Sequence, residues 1–251
     1  MLAAASDETP LAVRIALARE ANQARARAWA YREHQATIHF DRNGKETERR
    51  SKTWDVIGLE GALYRKLVER DDHPLAAKEA QKEEAAMQQE AATRRKEKNG
   101  GMSRLFSASY NFSIPWSTLG TVYDLTVSGE EEIAGEPVQV VEGVAKSARA
   151  SASPEEREAG NYSLRLWIRK SDGLPIRTSL EVTGTHSRMK PGSKVVQEII
   201  RGSDGTWLPG TAEITYVLKV AGAFAARGVS TYTYTEFKKF QVDSELTTDG
   251  R

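Results

Sequence analysis

The sequence predicts a mainly β protein with two helices, folded as a half-open antiparallel β-barrel or strongly curved sheet with the helices covering its concave side. Three observations predict it. Apolar and polar residues alternate with period two over most of the chain, the pattern of strands that bury one face. Asn43-Gly44, Asp172-Gly173 and Asp204-Gly205 separate such stretches, and residues of these types tolerate the positive φ of tight hairpin turns. Helical composition is confined to two stretches, one before the first strand and one after the third.

Residues 1–10 read as a flexible tail and residues 11–246 as one domain. Pro10 suits a helix start, because the first turn does not need its missing N–H. Residues 11–30 are rich in Ala, Arg, Leu and Glu, all good helix formers. Leu11, Ile15, Ala18, Ala21, Ala24 and Ala28 give that helix a thin apolar stripe, widened by Val13 and Leu17. Alternation then begins: Ala36, Ile38 and Phe40 against Gln35, Thr37 and His39. The Asn43-Gly44 turn leads to a strand over about 48–57, with Trp54 and Val56 on one face. A turn at 58–61 and a third strand at 62–69 follow. Asp71-Asp72-His73-Pro74 breaks the sheet, and a lid-like helix begins near Pro74 with Asp71 or Asp72 as its cap. It runs to about residue 98 and stops at Asn99-Gly100-Gly101. Arg94, Arg95, Lys96 and Lys98 complement the dipole at its C-terminal end.

Seven further strands are expected at 122–128, 137–145, 162–170, 175–183, 194–201, 206–220 and 228–242. Gly129-Glu130-Glu131-Glu132 reads as an acidic turn, and residues 146–160 as a long polar loop.

Composition narrows the function. The 36 basic and 35 acidic residues leave a net charge of +1, without the basic excess of a nucleic-acid binder. The absence of cysteine excludes disulfides and zinc-thiolate sites. No apolar run is long enough to cross a bilayer as a helix. Met1-Leu2-Ala3-Ala4-Ala5-Ser6 reads either as the small-residue end of a signal sequence or as an ordinary flexible start. His34, His39, His73 and His186 lack metal-ligand spacing, and no nucleophile elbow, phosphate loop or dinucleotide fingerprint occurs. His39 lies on the polar phase of its strand and reads as a surface residue. The five tryptophans read first as packing residues; Trp167, between Leu166 and Ile168, falls on the outer face.

Several phrases of the chain resemble a known group. They are Trp29-Ala30-Tyr31-Arg32-Glu33, Asp41-Arg42-Asn43-Gly44-Lys45, Thr53-Trp54-Asp55-Val56, Tyr64-Arg65-Lys66-Leu67-Val68 and Pro74-Leu75. In the second half they are Leu166-Trp167-Ile168-Arg169-Lys170, Gly173-Leu174-Pro175-Ile176-Arg177 and Asp204-Gly205-Thr206-Trp207-Leu208-Pro209. Together they resemble an uncharacterised bacterial envelope branch of the LolA/LolB-like periplasmic lipoprotein-carrier superfamily. The resemblance implies a helix-covered apolar cavity that takes lipid or acyl chains, and a periplasmic location.

The expected function is therefore non-catalytic binding or carriage of a hydrophobic ligand, either a lipid or a lipidated protein. The alternative is an envelope structural or protein-interaction module whose core is filled by its own side chains and takes no ligand. The expected ligand-binding residues are the apolar phases of four strand regions: Ile38 and Phe40, Trp54 and Val56, Leu164 and Leu166, Ile214 and Tyr216. No cofactor, metal or nucleic acid is expected. The expected partners are the ligand itself and transient membrane or envelope-protein contacts, with the protein a monomer.

Overall fold

Leu11, Ile15, Ala18 and Asn22 recur at three- and four-residue spacing, so they share one side of a helix, and this side is the one that packs inward. The computed structural model describes residues 9–96, 114, 116–147, 151–184, 189–219 and 225–240. Most of the expected tail, Lys98, the Asn99-Gly100-Gly101 stop, His186 and the last residues of the final expected strand lie outside the described residues. Helix α1 spans Leu11–Ala26, with Pro10 as its N-cap. Ile15 is fully buried. Asn22 continues the buried side because its amide brackets the Trp207 backbone, accepting from its N–H (3.0 Å) and donating to its carbonyl (2.8 Å). Val13 and Leu17, expected to widen the stripe, are 45% and 53% exposed; burial follows the narrower arc through Ile15 and Asn22.

Strands β1 (Trp29–Phe40), β2 (Glu46–Leu59), β3 (Ala62–Arg70) and the two-residue β4 (His73–Pro74) form a first meander. Helix α2 (Ala77–Lys96) follows, then a 3-10 turn at Trp116–Thr118 and the short α3 (Leu119–Val122). The second meander runs β5 (Tyr123–Ile133), β6 (Glu136–Ala145), β7 (Tyr162–Arg169), β8 (Pro175–Val182), β9 (Lys194–Arg201), β10 (Trp207–Lys219) and β11 (Ala225–Lys239), with α4 (Pro154–Ala159) between β6 and β7. All are antiparallel in one curved sheet, ordered β4-β3-β2-β1-β11-β10-β9-β8-β7-β6-β5. The pairing of β1 with β11 joins the two meanders. β4 and β5 remain as edges, so the sheet does not close into a barrel.

Local chemistry accounts for the turns. Asp41 accepts from the N–H groups of Asn43 and Lys45, and Gly44 takes φ +81°. Three expectations are corrected. The acidic residues Glu130, Glu131 and Glu132 lie within β5, and the turn is Ala134-Gly135, both at positive φ. Their charges sit on an edge strand, where they disfavour pairing with another chain. Asp71 and Asp72 do not cap α2. Both adopt positive φ as a two-residue turn and bond to Ser51, Asp71 through the backbone N–H and Asp72 through Oγ; α2 starts only at Ala77. Finally, the expected polar loop at 146–160 contains α4, which opens on a capping box. Ser153 accepts from the Glu156 N–H, and the Glu156 carboxylate accepts from the Ser153 N–H. The signal was present as Ser153-Pro154-Glu155-Glu156, a Ser-x-x-Glu box with proline at the first helical position.

The core lies between α1 and the inner face of β5–β11. Ile15, Leu119, Val122 and Tyr123 pack with Val141, Leu164, Leu166, Leu180, Val195 and Ile214. The Tyr123 hydroxyl donates to the Ala159 carbonyl (2.6 Å), tying α4 to this cluster. Trp167 stands on the outer face, where its indole N–H donates to Glu131 (2.9 Å).

Helix α2 sits elsewhere. Its ties run along the edge strand β3: Glu84 pairs with Lys66 (2.6 Å), and the Arg94 guanidinium donates to the carbonyls of Leu59, Ala62 and Leu63. Lys66 and Tyr64 occupy the face of β3 opposite Arg65, since side chains alternate along a strand. The helix thus covers a margin of β3 that β4, paired only with Glu69 and Arg70, leaves open. Ala91 is its one buried residue among those described. Regions with so little apolar anchorage open locally at small free-energy cost. The amide protons of α2 are therefore expected to exchange with solvent faster than those of β7 and β8; equal protection by hydrogen-exchange mass spectrometry would contradict this.

Candidate functional site

Pairing register fixes which side chains share a face. One inner row crosses the sheet as Gly143, Leu164, Leu180, Val195, Ile214, Ser230, Thr37 and Arg50. The next runs Val141, Leu166, Thr178, Gln197, Ala212, Tyr232, Gln35, Lys52 and Arg70. Both are largely apolar under α1 and turn polar and cationic across β11, β1, β2 and β3. On β1 the inner phase is Glu33, Gln35, Thr37 and His39.

That register divides the eight expected ligand residues. Leu164, Leu166 and Ile214 lie in the packed core, with exposures of 3%, 0% and 7%. Val56 is also buried. Tyr216 is on the same face; its hydroxyl lies 3.1 Å from His39 Nδ1, and its phenol end lies against Gly228, where a Cβ would come within 2.2 Å of the hydroxyl. Trp54 is half-buried on the inner face of β2. Ile38 and Phe40 are on the other side. Ile38 shares its row with Val229, Thr215 and Lys194, and Phe40 pairs with Arg227. The apolar phase of β1 faces outward because its polar phase is used within.

Within the polar half, Glu33 is 2% exposed and forms an ion pair with Arg65. The Arg65 guanidinium stacks 4.0 Å from the Trp54 ring centre. Burial pushes the Glu33 carboxyl above its ordinary value despite the pull of Arg65. Burial, with the nearby Glu33 charge, also pushes the Tyr232 phenol up to about 12, so it stays neutral and can donate.

An open cleft of about 410 Å³ lies beside this group, lined by Gln35, Thr37, Arg50, Ser51, Lys52, Arg70 and Asp71. Its volume falls within the usual range of ligand sites. Toward the Glu33 end, the inner face of β2 and β3 offers the half-buried Trp54, Leu63 and Leu67. These apolar side chains share the face of the cleft but do not line it. Sequence reasoning missed the cleft because it followed apolar phases. The missed signal was the run Glu33, Gln35, Thr37, His39 on a strand whose neighbours in space are core strands. Among the described residues, no group of three or more metal-ligating side chains converges, and no helix is long and apolar enough to cross a membrane.

No family model matches the chain, and no curated protein matches its sequence. Among solved structures, the chain is similar to a lipoprotein-sorting protein domain from Vibrio parahaemolyticus, at 11% identity over 93% of this chain and 95% of that one, with a TM-score of 0.44. It is similar to a LolA superfamily protein from Nitrosomonas europaea, at 11% identity over 86% and 87%, with a TM-score of 0.35. It is also similar to the lipoprotein LppX of Mycobacterium tuberculosis, at 11% identity over 93% and 98%, with a TM-score of 0.32.

Proposed function

We propose that this protein is a non-catalytic binding protein for an amphiphile, a lipid or the acyl chains of a lipidated protein, held on the β1–β3 half of the inner face. The observation that carries this reading is the division of that face: α1 packs on the β5–β11 half, while the other half keeps an open cleft and, further along the same face of β2 and β3, the half-buried Trp54, Leu63 and Leu67. Burying a ligand's acyl carbons there releases roughly 0.8 kcal/mol per CH₂, and no bond need be made or broken. A periplasmic location belongs to the same proposal, and fractionation of the producing cells tests it.

A second reading, an interaction module with a filled core, draws on the complete burial of Leu166 and the near-complete burial of Leu164 and Ile214. Titration with an uncharged, fluorescently labelled monoacylglycerol separates the two. The amphiphile reading expects saturable binding that is lost in Leu67→Glu, where the half-exposed position lets the fold survive the charge. A well-folded wild type that binds neither this probe nor any natural lipid would leave the interaction module as the account.

A further inference from the structure

The rim of the cleft carries three basic side chains, Arg50, Lys52 and Arg70. Lys52 is exposed, stands between Gln35 and Arg70 in the inner row, and has no carboxylate within ion-pair distance among the described residues. Arg50, beside Thr37, pairs with Glu48 on its own strand (2.5 Å), both largely exposed. Arg70 is held only loosely by Glu79 (3.7 Å). The carboxylate lining the cleft is Asp71, and its Oδ1 already accepts from the Ser51 N–H (3.0 Å). Arg50 and Arg70 thus have exposed carboxylate partners that a ligand can displace, and Lys52 is the rim cation with none among the described residues. Gln35 and Thr37 add neutral polar groups: the Gln35 amide donates to Thr37 Oγ1 (3.2 Å), which lies 2.9 Å from Ser230 Oγ.

We infer that this cleft binds an anionic group of the phosphate type, held by Arg50, Lys52 and Arg70, with Gln35 and Thr37 as neutral partners. Like charges gathered on adjacent strands repel one another, and an anion among them relieves that repulsion while accepting charge-assisted hydrogen bonds. A phosphomonoester carries about −1.5 to −2 at neutral pH, enough to pair with Lys52 and to draw Arg50 and Arg70 from their exposed carboxylate partners. The inference deepens the amphiphile reading by giving the ligand's head its chemistry. It also stands for a free phosphate, since the rim does not depend on Trp54, Leu63 or Leu67.

Calorimetric titrations of the intact protein at low salt test it, with dihexanoyl phosphatidic acid, dihexanoyl phosphatidylcholine and inorganic phosphate as separate probes. The wild type is expected to prefer phosphatidic acid to phosphatidylcholine by on the order of tenfold. Lys52→Glu is expected to abolish that preference, while Lys194→Glu, the same charge change on an exposed outer-face lysine, keeps it. Competition by inorganic phosphate assigns the site to a free anion; a preference that phosphate does not compete away assigns it to a lipid headgroup. Equal binding of both lipids by the wild type, or a preference that survives in Lys52→Glu, would overturn the inference. Equal lipid binding leaves the amphiphile reading standing, whereas binding of phosphate without either lipid sinks that reading and keeps the anion site.

Discussion

Leu166→Ala is expected to lower the unfolding free energy by about 2–5 kcal/mol, the cost of removing buried methyl groups and leaving a cavity. Leu166 is 0% exposed, and it packs in the cluster that joins Ile15 of α1 to the strands. Leu166→Glu should not fold, since it places a carboxylate there without a partner. Chemical denaturation followed by circular dichroism measures the first, and solubility and spectra report the second. A folded Leu166→Glu protein would mean that the β5–β11 half is roomy rather than solid, and would return the ligand to the core residues. A folded Leu166→Ala protein should still bind the monoacylglycerol probe, because the cleft is on other strands.

The second large effect concerns Arg65. Arg65→Met strands the Glu33 carboxylate, and losing one partner of a buried pair costs about 3–5 kcal/mol. The lower end is expected, because the Arg65 side chain is 24% exposed and Glu33 can recover some hydration from that side. The deficit should depend on pH with a definite sign. Burial already holds the Glu33 carboxyl above its ordinary value in the folded protein, and Arg65 is the group that pulls it back down. Removing Arg65 raises it further. Between the unfolded and folded values, the native state keeps a proton that the unfolded chain has released, so stability falls as pH rises through that window. The variant's deficit relative to wild type should therefore be largest at neutral pH and shrink as the pH drops to about 5 and below. A deficit that stays constant with pH, measured by thermal melts across this range, would mean that the lost Trp54 stacking, not the stranded charge, sets the cost.

How much was legible in the sequence follows from where local and global signals agree. The strand expected at 162–170 is β7, Tyr162–Arg169, where alternation and burial coincide, and the strand expected at 194–201 is β9 to the residue, set by its flanking turns. Leu164, Leu166 and Ile214 were assigned to the inner face by the same logic, and the register places them there. Ile38 and Phe40 show where the logic stops. In an ordinary two-layer protein the apolar phase points inward, but on β1 the polar phase does, because half of the inner face is a cleft. Such a break between local pattern and global fold marks functional sites. The α2 helix was legible as a helix from composition, but its place along β3 was not. That place depends on Arg94 reaching carbonyls some 31 to 35 residues earlier in the chain, and no local pattern records such a contact.

The central claim is that ligand enters the β1–β3 half of the inner face and not the β5–β11 half. The most direct measurement is a set of amide and methyl NMR spectra recorded while dihexanoyl phosphatidic acid is added below its micellar concentration. Shift changes are expected at Gln35, Thr37, Lys52, Trp54, Leu67 and Arg70, with the methyl groups of Leu164, Leu166 and Ile214 unmoved. Changes centred on those core methyl groups, with the β1–β3 residues silent, would contradict the account.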